Sequence, residues 1–254
     1  MLELPIFVIN LTHDEARRAH MQVLLQRLGL RAELVPGVDG RRLSAADRAA
    51  YDPARALRVY GVAMMDTEIA CYLSHYRLWE RMVREQLEVA LILEDDLEIS
   101  ANFPQLIAEL LADPSPPWLV VRLESQRNRV LDPKTLKDRG RPIKTLMAGT
   151  LVELNIHVLG SGAYLMRQTG ARRLLDYGRR IFMPLDHTMD RFWENGIVPY
   201  VVRPLPVRQR AALGTSIGAR PAGRHKGYPL AVRIARRWQR WVDGVRKRIF
   251  VLLR

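Results

Sequence analysis

"VALILEDDLEIS", residues 89–100, decides how this chain is read. Five apolar residues, Val89 to Leu93, run without interruption into three carboxylates, Glu94, Asp95 and Asp96. An unbroken apolar run of that length predicts a strand covered on both faces, as in an α/β sheet. Acids at its C-terminal end then lie on the edge where open α/β sheets bind ligands. Acids after a strand also cap helices or face water, but three in a row repel one another and call for a compensating charge. A hard divalent cation with oxygen ligands, Mg²⁺ or Mn²⁺, supplies it and leaves positions for substrate phosphates. The strand end reads as a metal–diphosphate site.

The flanking sequence supports an α/β chain with a mostly parallel central sheet. "IFVIN" (6–10) reads as a buried strand, and Thr12 with Glu15 as a capping box. The helix that follows places Ala16, His20, Val23, Leu24 and Leu28 on one stripe and stops at Gly29. "AELVPGVDG" returns as a second strand ending in a Gly37–Gly40 turn, so the chain opens β-α-β. "DTEIACYLSHYRLWERMVREQ" (66–86) is a helix with Ile69, Tyr72, Leu73, Tyr76, Trp79 and Val83 facing the core. "NFPQLIAELLA" is a helix with Asn102 placed to cap it, and "WLVVRL" (118–123) is another buried strand. Residues 124–150 are basic and broken by Pro133 and Pro142, the pattern of a functional flap or a disordered segment. "SGAYLM" is a strand, "TGARRLLDYGRR" a helix capped by Thr169, "PLDHTMDRFWENG" (184–196) a helix, and "IVPYVV" a closing strand.

Hydrophobic content of 48% and charged content of 26% are ordinary globular values for 254 residues. The single cysteine, Cys71, excludes an internal disulfide and fits a reducing compartment. The opening "LPIFVIN" lacks the features of a signal peptide, and no stretch reaches the roughly 20 apolar residues of a membrane span. A cytoplasmic protein is expected. The net charge of +13 is uneven: residues 220–254 hold 11 Lys and Arg against one acid, Asp243. A nearly balanced body over 1–219 and a basic tail over 220–254 argue for a local attachment device, not a nucleic-acid-coating surface. On a helical wheel of 229–254, Leu230, Ile234, Trp238, Trp241, Val245, Ile249 and Leu252 share one arc, with Arg233, Arg236, Arg240 and Lys247 opposite. That pattern suits an interfacial helix on anionic lipid, with a core-packing or partner-binding helix as the alternative.

Several residues outside the acidic run can carry chemistry. Arg17 and Arg18 open the first helix, where nucleotide phosphates bind readily, and Asp39 ends the second strand within reach of a ribose hydroxyl. Each also reads as ordinary surface or turn chemistry. Glu68 and His75 lie two turns apart on one helix face with Cys71 between them. Gly160 and Gly162 let backbone approach a sugar, or form a simple bend. Asp186 and His187 sit at a helix start, Asp186 as a general base or as an N-cap. A serine-nucleophile arrangement, a zinc signature and a phosphate loop are absent.

"VINLTHDEARR", "VPGVDG", "TEIACYLSHYRLW", "LILEDDLEIS", "GSGAYLMRQTGARRLL", "PLDHTMDRFW" and "VRPLPVRQ…SIG" together resemble glycosyltransferase family 25, the lipooligosaccharide galactosyltransferase type. The order of these blocks makes the resemblance specific. It implies a GT-A-like nucleotide-sugar-binding fold, a UDP-sugar donor, usually UDP-galactose, and inverting transfer to a glycan hydroxyl assisted by Mn²⁺ or Mg²⁺. On that reading Asp96 is the direct metal ligand, with His187 completing the shell. Asn10, Arg17, Arg18, Asp39, Glu94 and Asp95 hold the donor, Asp186 and His75 are catalytic, and Gly162 and Tyr164 meet the acceptor. The expected acceptor is a lipooligosaccharide or other lipid-linked glycan at the inner face of a bacterial membrane. A non-catalytic nucleotide-sugar-binding scaffold of the same fold is the rival; nucleic acid is not expected as a partner.

Overall fold

The computed structural model describes residues 4–126, 139–210 and 228–254. Its frame is an eight-stranded sheet in the order β2-β1-β3-β8-β5-β9-β7-β6. The strands are β1 (Ile6–Asn10), β2 (Glu33–Pro36), β3 (Val89–Glu94), β5 (Val120–Arg122), β6 (Gly140–Leu146), β7 (Gly149–Leu154), β8 (Ala163–Arg167) and β9 (Tyr200–Arg203). A separate antiparallel pair joins β4 (Leu97–Ile99) to β10 (Val207–Gln209). The helices are α1 (Glu15–Arg27), α2 (Ala45–Ala49), α3 (Pro53–Arg55), α4 (Asp66–Arg84), α5 (Phe103–Ala112), α6 (Gln168–Gly178), α7 (Leu185–Met189), α8 (Phe192–Asn195) and α9 (Leu230–Leu252).

β3 is the strand expected from its apolar run. Ala90 to Leu93 are wholly buried, and alternate residues enter different cores. Leu91 and Leu93 pack with Met21, Leu24 and Leu25 of α1 and Phe103, Leu106 and Leu110 of α5. Ala90 and Ile92 pack with Ile69, Tyr72 and Trp79 of α4 and Leu174 of α6. Each large side chain taken fully from water contributes about 1.5–3 kcal/mol, so a strand feeding two cores is held from both sides. The α/β class and the C-terminal helix read from sequence are both present. The sheet is mixed: β2, β1 and β3 run parallel, whereas β8 is antiparallel to both of its neighbours, β3 and β5.

Local details depart from the sequence reading. Asp14, not Thr12, caps α1, accepting from the Arg17 amide at 3.1 Å. The buried stripe of α1 is Arg17, Met21, Leu24 and Leu25, and Val23 faces solvent at 65% exposure. An ion pair that draws Arg17 inward sets that rotation. Thr169 does not cap α6, which continues directly from β8 with its Gln168 amide donating to the Glu88 carbonyl. Within 124–150, β6 and β7 form a hairpin at the sheet edge, where Pro142 is tolerated at a register irregularity. The rest of the expected flap, residues 127–138, lies outside the described residues. The helix expected over 184–196 is two short ones, α7 and α8.

α9 docks one face on the body. Asp243 pairs with Arg191 at 2.6 Å, Arg246 with Glu194 at 3.4 Å, and Phe250 packs on Phe192. The ammonium of Lys247 sits 5.2 Å from the Phe192 ring. Asp243, Lys247 and Phe250 therefore face the body, whereas Arg233 and Arg240, expected opposite the apolar arc, remain exposed beside it. The arc itself points away: Leu230, Ile234, Trp238, Trp241, Ile249 and Leu252 are all exposed. No helix among the described residues is long and apolar enough to cross a membrane.

Candidate active site

Parallel pairing of β1 with β3 and antiparallel pairing of β3 with β8 bring three chain segments to one sheet edge. Ile9 lies beside Glu94, and Ala163 beside Leu93. A cavity of about 800 Å³ opens there, lined by Arg17, Asp39, Cys71, His75, Glu94, Asp95, Asp96, Gly160, Ser161, Asp186 and His187 among others.

The three consecutive acids have three different environments. Asp95 is neutralised: it accepts from Asn10 Nδ2 at 2.7 Å and from Arg17 Nη1 at 2.9 Å. Glu94 accepts from Ser161 Oγ at 2.9 Å and faces His75 Nε2 at 3.5 Å. Burial pushes Glu94 upward, but the His75 and Ser161 contacts prevail and hold its carboxyl below the ordinary value. Asp96 is the one left short. Its Oδ2 is 3.5 Å from Arg17, while its buried Oδ1 has no hydrogen-bond partner. Burial first, then the charge of Glu94, pushes its pKa up to about 7. An orphaned, buried carboxylate oxygen beside further acids is a ligand set that fits a hard divalent cation.

Asp186, at the start of α7, accepts from the Gly160 amide at 3.3 Å and from the His187 amide at 2.8 Å. The loop that reaches it is strained. Leu159 has φ of 56°, and Gly160 has φ of 83° with no room for a Cβ against Glu124. Asp190 ties that loop down by accepting from the Leu159 amide at 2.7 Å and pairing with Arg122 at 3.4 Å. Arg122 in turn donates to the Gly160 carbonyl. The cavity wall is thus a glycine loop braced from below by a buried ion pair.

The remaining expected residues divide by position. Asp39 lines the cavity but is engaged by Arg41, whose guanidinium at 2.8 Å holds its carboxyl well below the usual carboxylate range. His187 lines the cavity with its ring against Tyr60, 5.1 Å between centroids. Asn10 positions Asp95 instead of lining the cavity, and Arg18 donates to Asn10 Oδ1 at 3.2 Å. Gly162 and Tyr164, expected at the acceptor, stand behind the wall. The Gly162 amide donates to Glu124, and Tyr164 is fully buried with its hydroxyl 2.8 Å from His75 Nδ1. Packing of the β8 strand into the α4 core takes Tyr164 out of reach. Cys71 lies on the cavity floor, where burial and then the surrounding carboxylates raise its thiol pKa.

Glu124 is a group that sequence reasoning missed. It is 2% exposed, and burial followed by the charge of Glu94 pushes its pKa up to about 8. Its signal was the one that identified Glu94: a carboxylate directly after an apolar strand, here "WLVVRLE".

The model of glycosyltransferase family 25 (LPS biosynthesis protein) matches residues 3–189. The chain belongs to glycosyltransferase family 25. A glycosyltransferase 25 family member of Drosophila pseudoobscura pseudoobscura is 44% identical over 103 residues, covering 39% of this chain and 16% of that protein. Procollagen galactosyltransferase 1-B of Xenopus laevis is 29% identical over 178 residues, covering 67% of this chain and 28% of its own length. The probable inactive glycosyltransferase 25 family member 3 of Bos taurus is 26% identical over 228 residues, covering 79% and 36% respectively. The chain therefore spans well under half the length of these curated relatives. The inositol-1-phosphate CTP transferase from T. maritima aligns over 80% of this chain and 69% of its own, at 14% identity and a TM-score of 0.38.

Proposed function

We propose that this protein is an inverting, UDP-sugar-dependent hexosyltransferase, most consistent with a galactosyltransferase, acting on a lipid-linked glycan at an anionic membrane surface. The observation that carries the reading is the orphaned Asp96 oxygen in a cavity at the carboxyl edge of β1 and β3. Asp96, with His187 as a second candidate ligand, would hold a divalent cation, Mn²⁺ or Mg²⁺. Such a cation neutralises the charge that develops on a departing diphosphate. Arg17 adds fixed positive charge on the same side, and Asp95, saturated by Arg17 and Asn10, keeps that arginine in place. In this reading Glu94 and Asp39 meet the nucleoside hydroxyls.

Asp186 takes the proton from the acceptor hydroxyl. As the acceptor oxygen bonds to the sugar's anomeric carbon from one face, the bond to the diphosphate oxygen breaks on the other. Its electron pair leaves with UDP, which inverts the centre. The amides of Gly160 and His187 fix the Asp186 carboxylate for that role.

The lipid-linked acceptor is supported by α9, whose outward arc carries Trp238 and Trp241 flanked by Arg233, Arg237, Arg240 and Arg248. In this reading residues 1–219 are the catalytic body and 220–254 the membrane-association segment. A rival is suggested by the relative named as probably inactive: a protein that binds donor without turning it over. A panel of UDP-sugars, assayed for Mn²⁺-dependent hydrolysis, separates the two. Asp96→Asn should reduce that hydrolysis by more than about a hundredfold while leaving the fold intact. Full activity in the variant, or no turnover of any UDP-sugar by the parent protein, would sink the proposal.

A further inference from the structure

Cys71 has no part in the transfer chemistry above, yet it stands in a constellation of its own. Cys71 and His75 are one turn apart on α4, so both side chains leave the same helix face. Glu94 reaches them from the end of β3. One ligand atom from each of the three residues lies within 4.8 Å of the others. His75 Nε2 and Glu94 Oε1 are 3.5 Å apart. Two tetrahedral ligands at about 2.0–2.2 Å from a zinc ion stand roughly 3.4 Å from each other, so this pair already has the required spacing. All three residues line the cavity, which leaves a fourth position open to solvent or ligand.

We infer that Cys71, His75 and Glu94 form a second cation site, of thiolate–imidazole–carboxylate type, that takes zinc-class ions (Zn²⁺, Co²⁺, Cd²⁺) in preference to Mg²⁺ or Mn²⁺. A built second shell supports it. Trp79 Nε1 donates to the Tyr164 hydroxyl oxygen at 3.1 Å, and that hydroxyl is 2.8 Å from His75 Nδ1. Without an ion, all partners are satisfied when the Tyr164 O–H donates to Nδ1 and the Nε2–H faces Glu94. With an ion on Nε2, the imidazole proton moves to Nδ1 and is donated to the Tyr164 oxygen, which orients the ring as outer-shell acceptors orient metal-bound histidines, at the cost of the Tyr164 O–H bond to Nδ1. The imidazole changes tautomer without gaining or losing a proton. The Cys71 thiol releases its proton to solvent as the sulfur–metal bond forms, one proton for each ion bound. Asp186, Asp96 and Glu68 also act electrostatically on Cys71, a field that draws a dication inward.

The chain has one cysteine, so any thiolate-to-cobalt charge-transfer absorption must come from Cys71. The test is a Co²⁺ titration of the metal-free 254-residue chain in thiol-free buffer, read directly as binding and so independent of the glycosyltransferase reading. A charge-transfer band saturating at one ion per chain is expected, displaced by Zn²⁺ and not by Mg²⁺. Cys71→Ser should abolish the band, and Glu94→Gln should weaken Co²⁺ binding by more than about tenfold. Asp96→Asn should retain the band, which separates this site from the oxygen-ligand site. No band at saturating Co²⁺ would overturn the inference. So would a band formed with unchanged affinity in Glu94→Gln, since the Glu94 carboxylate would then be no part of the site.

Discussion

Replacing Glu124 by glutamine should change how stability depends on pH. The ordinary value for this carboxyl is 4.5, and in the folded protein burial and the charge of Glu94 push it up to about 8. Below pH 4.5 both folded and unfolded chains hold the proton, and the residue is neutral to the balance. Between 4.5 and 8 the unfolded chain releases its proton while the folded chain keeps it, so stability is lost as pH rises through that window. Each pH unit is worth about 1.4 kcal/mol, which sets a ceiling of roughly 5 kcal/mol for the whole interval. Asp96, raised to about 7, acts with the same sign but is present in both proteins and cancels in the comparison. Glutamine keeps an oxygen for the Gly162 amide, now bound at 3.3 Å, and never ionises. Urea unfolding of parent and variant in chelator at pH 5, 6, 7 and 8 reads the effect. The stability of Glu124→Gln relative to the parent should climb by several kcal/mol across the series. Parallel curves from pH 5 to 8 would refute the account of Glu124 as a buried, protonated acid.

Asp186→Asn should lower sugar transfer by about 10²–10⁴-fold while donor affinity, measured by calorimetry, stays within about twofold. Collapse of donor affinity with normal transfer of bound donor would remove Asp186 as the base. Trp238→Ser combined with Trp241→Ser should leave the protein bound to anionic vesicles at low salt but released by moderate salt, because burial of the apolar arc is the contribution that salt does not screen. Salt-resistant sedimentation with vesicles would count against insertion of the arc. Asp243→Ala should cost roughly 2 kcal/mol in thermal unfolding, less than the roughly 3–5 for a stripped buried charge, because Arg191 keeps Glu194. An unchanged melting temperature would show that the helix is not clamped there.

Those residues also mark what a one-dimensional reading can and cannot supply. The β1-α1-β2 start, the fully buried β3 and the acidic strand end were legible because apolar periodicity and run length report burial directly. Arg17 was placed near phosphate chemistry from its helix position alone, but its burial against Asp95 and Asp96 depends on a contact spanning 78 residues. The inward turn of Arg17 goes with that same contact, so the local pattern gave the buried stripe of α1 wrongly. Tyr164 looked available because its block adjoins the glycines; strand pleat sends it into the α4 core instead. The antiparallel placement of β8 was hidden because a strand's direction depends on the path of its connections, which composition does not encode. Glu124 carried the right signal but sat at the border of a segment read as irregular.

The clamp between Arg191 and Asp243 has a mechanical consequence. Asp243 is the single acid in a strongly basic segment, and it lies on the face turned inward. Rotating the helix to turn its tryptophans toward the body would strip a 7%-exposed guanidinium of a partner. The helix is therefore mounted, not tethered. On a surface that received the arc, the body would be held at one attitude above it. A flexible leash would let the cavity sweep a hemisphere and sample acceptors of any length at low effective concentration. A fixed mount would give up that range and, on the proposed reading, would make the distance from surface to cavity a selection rule among glycan acceptors.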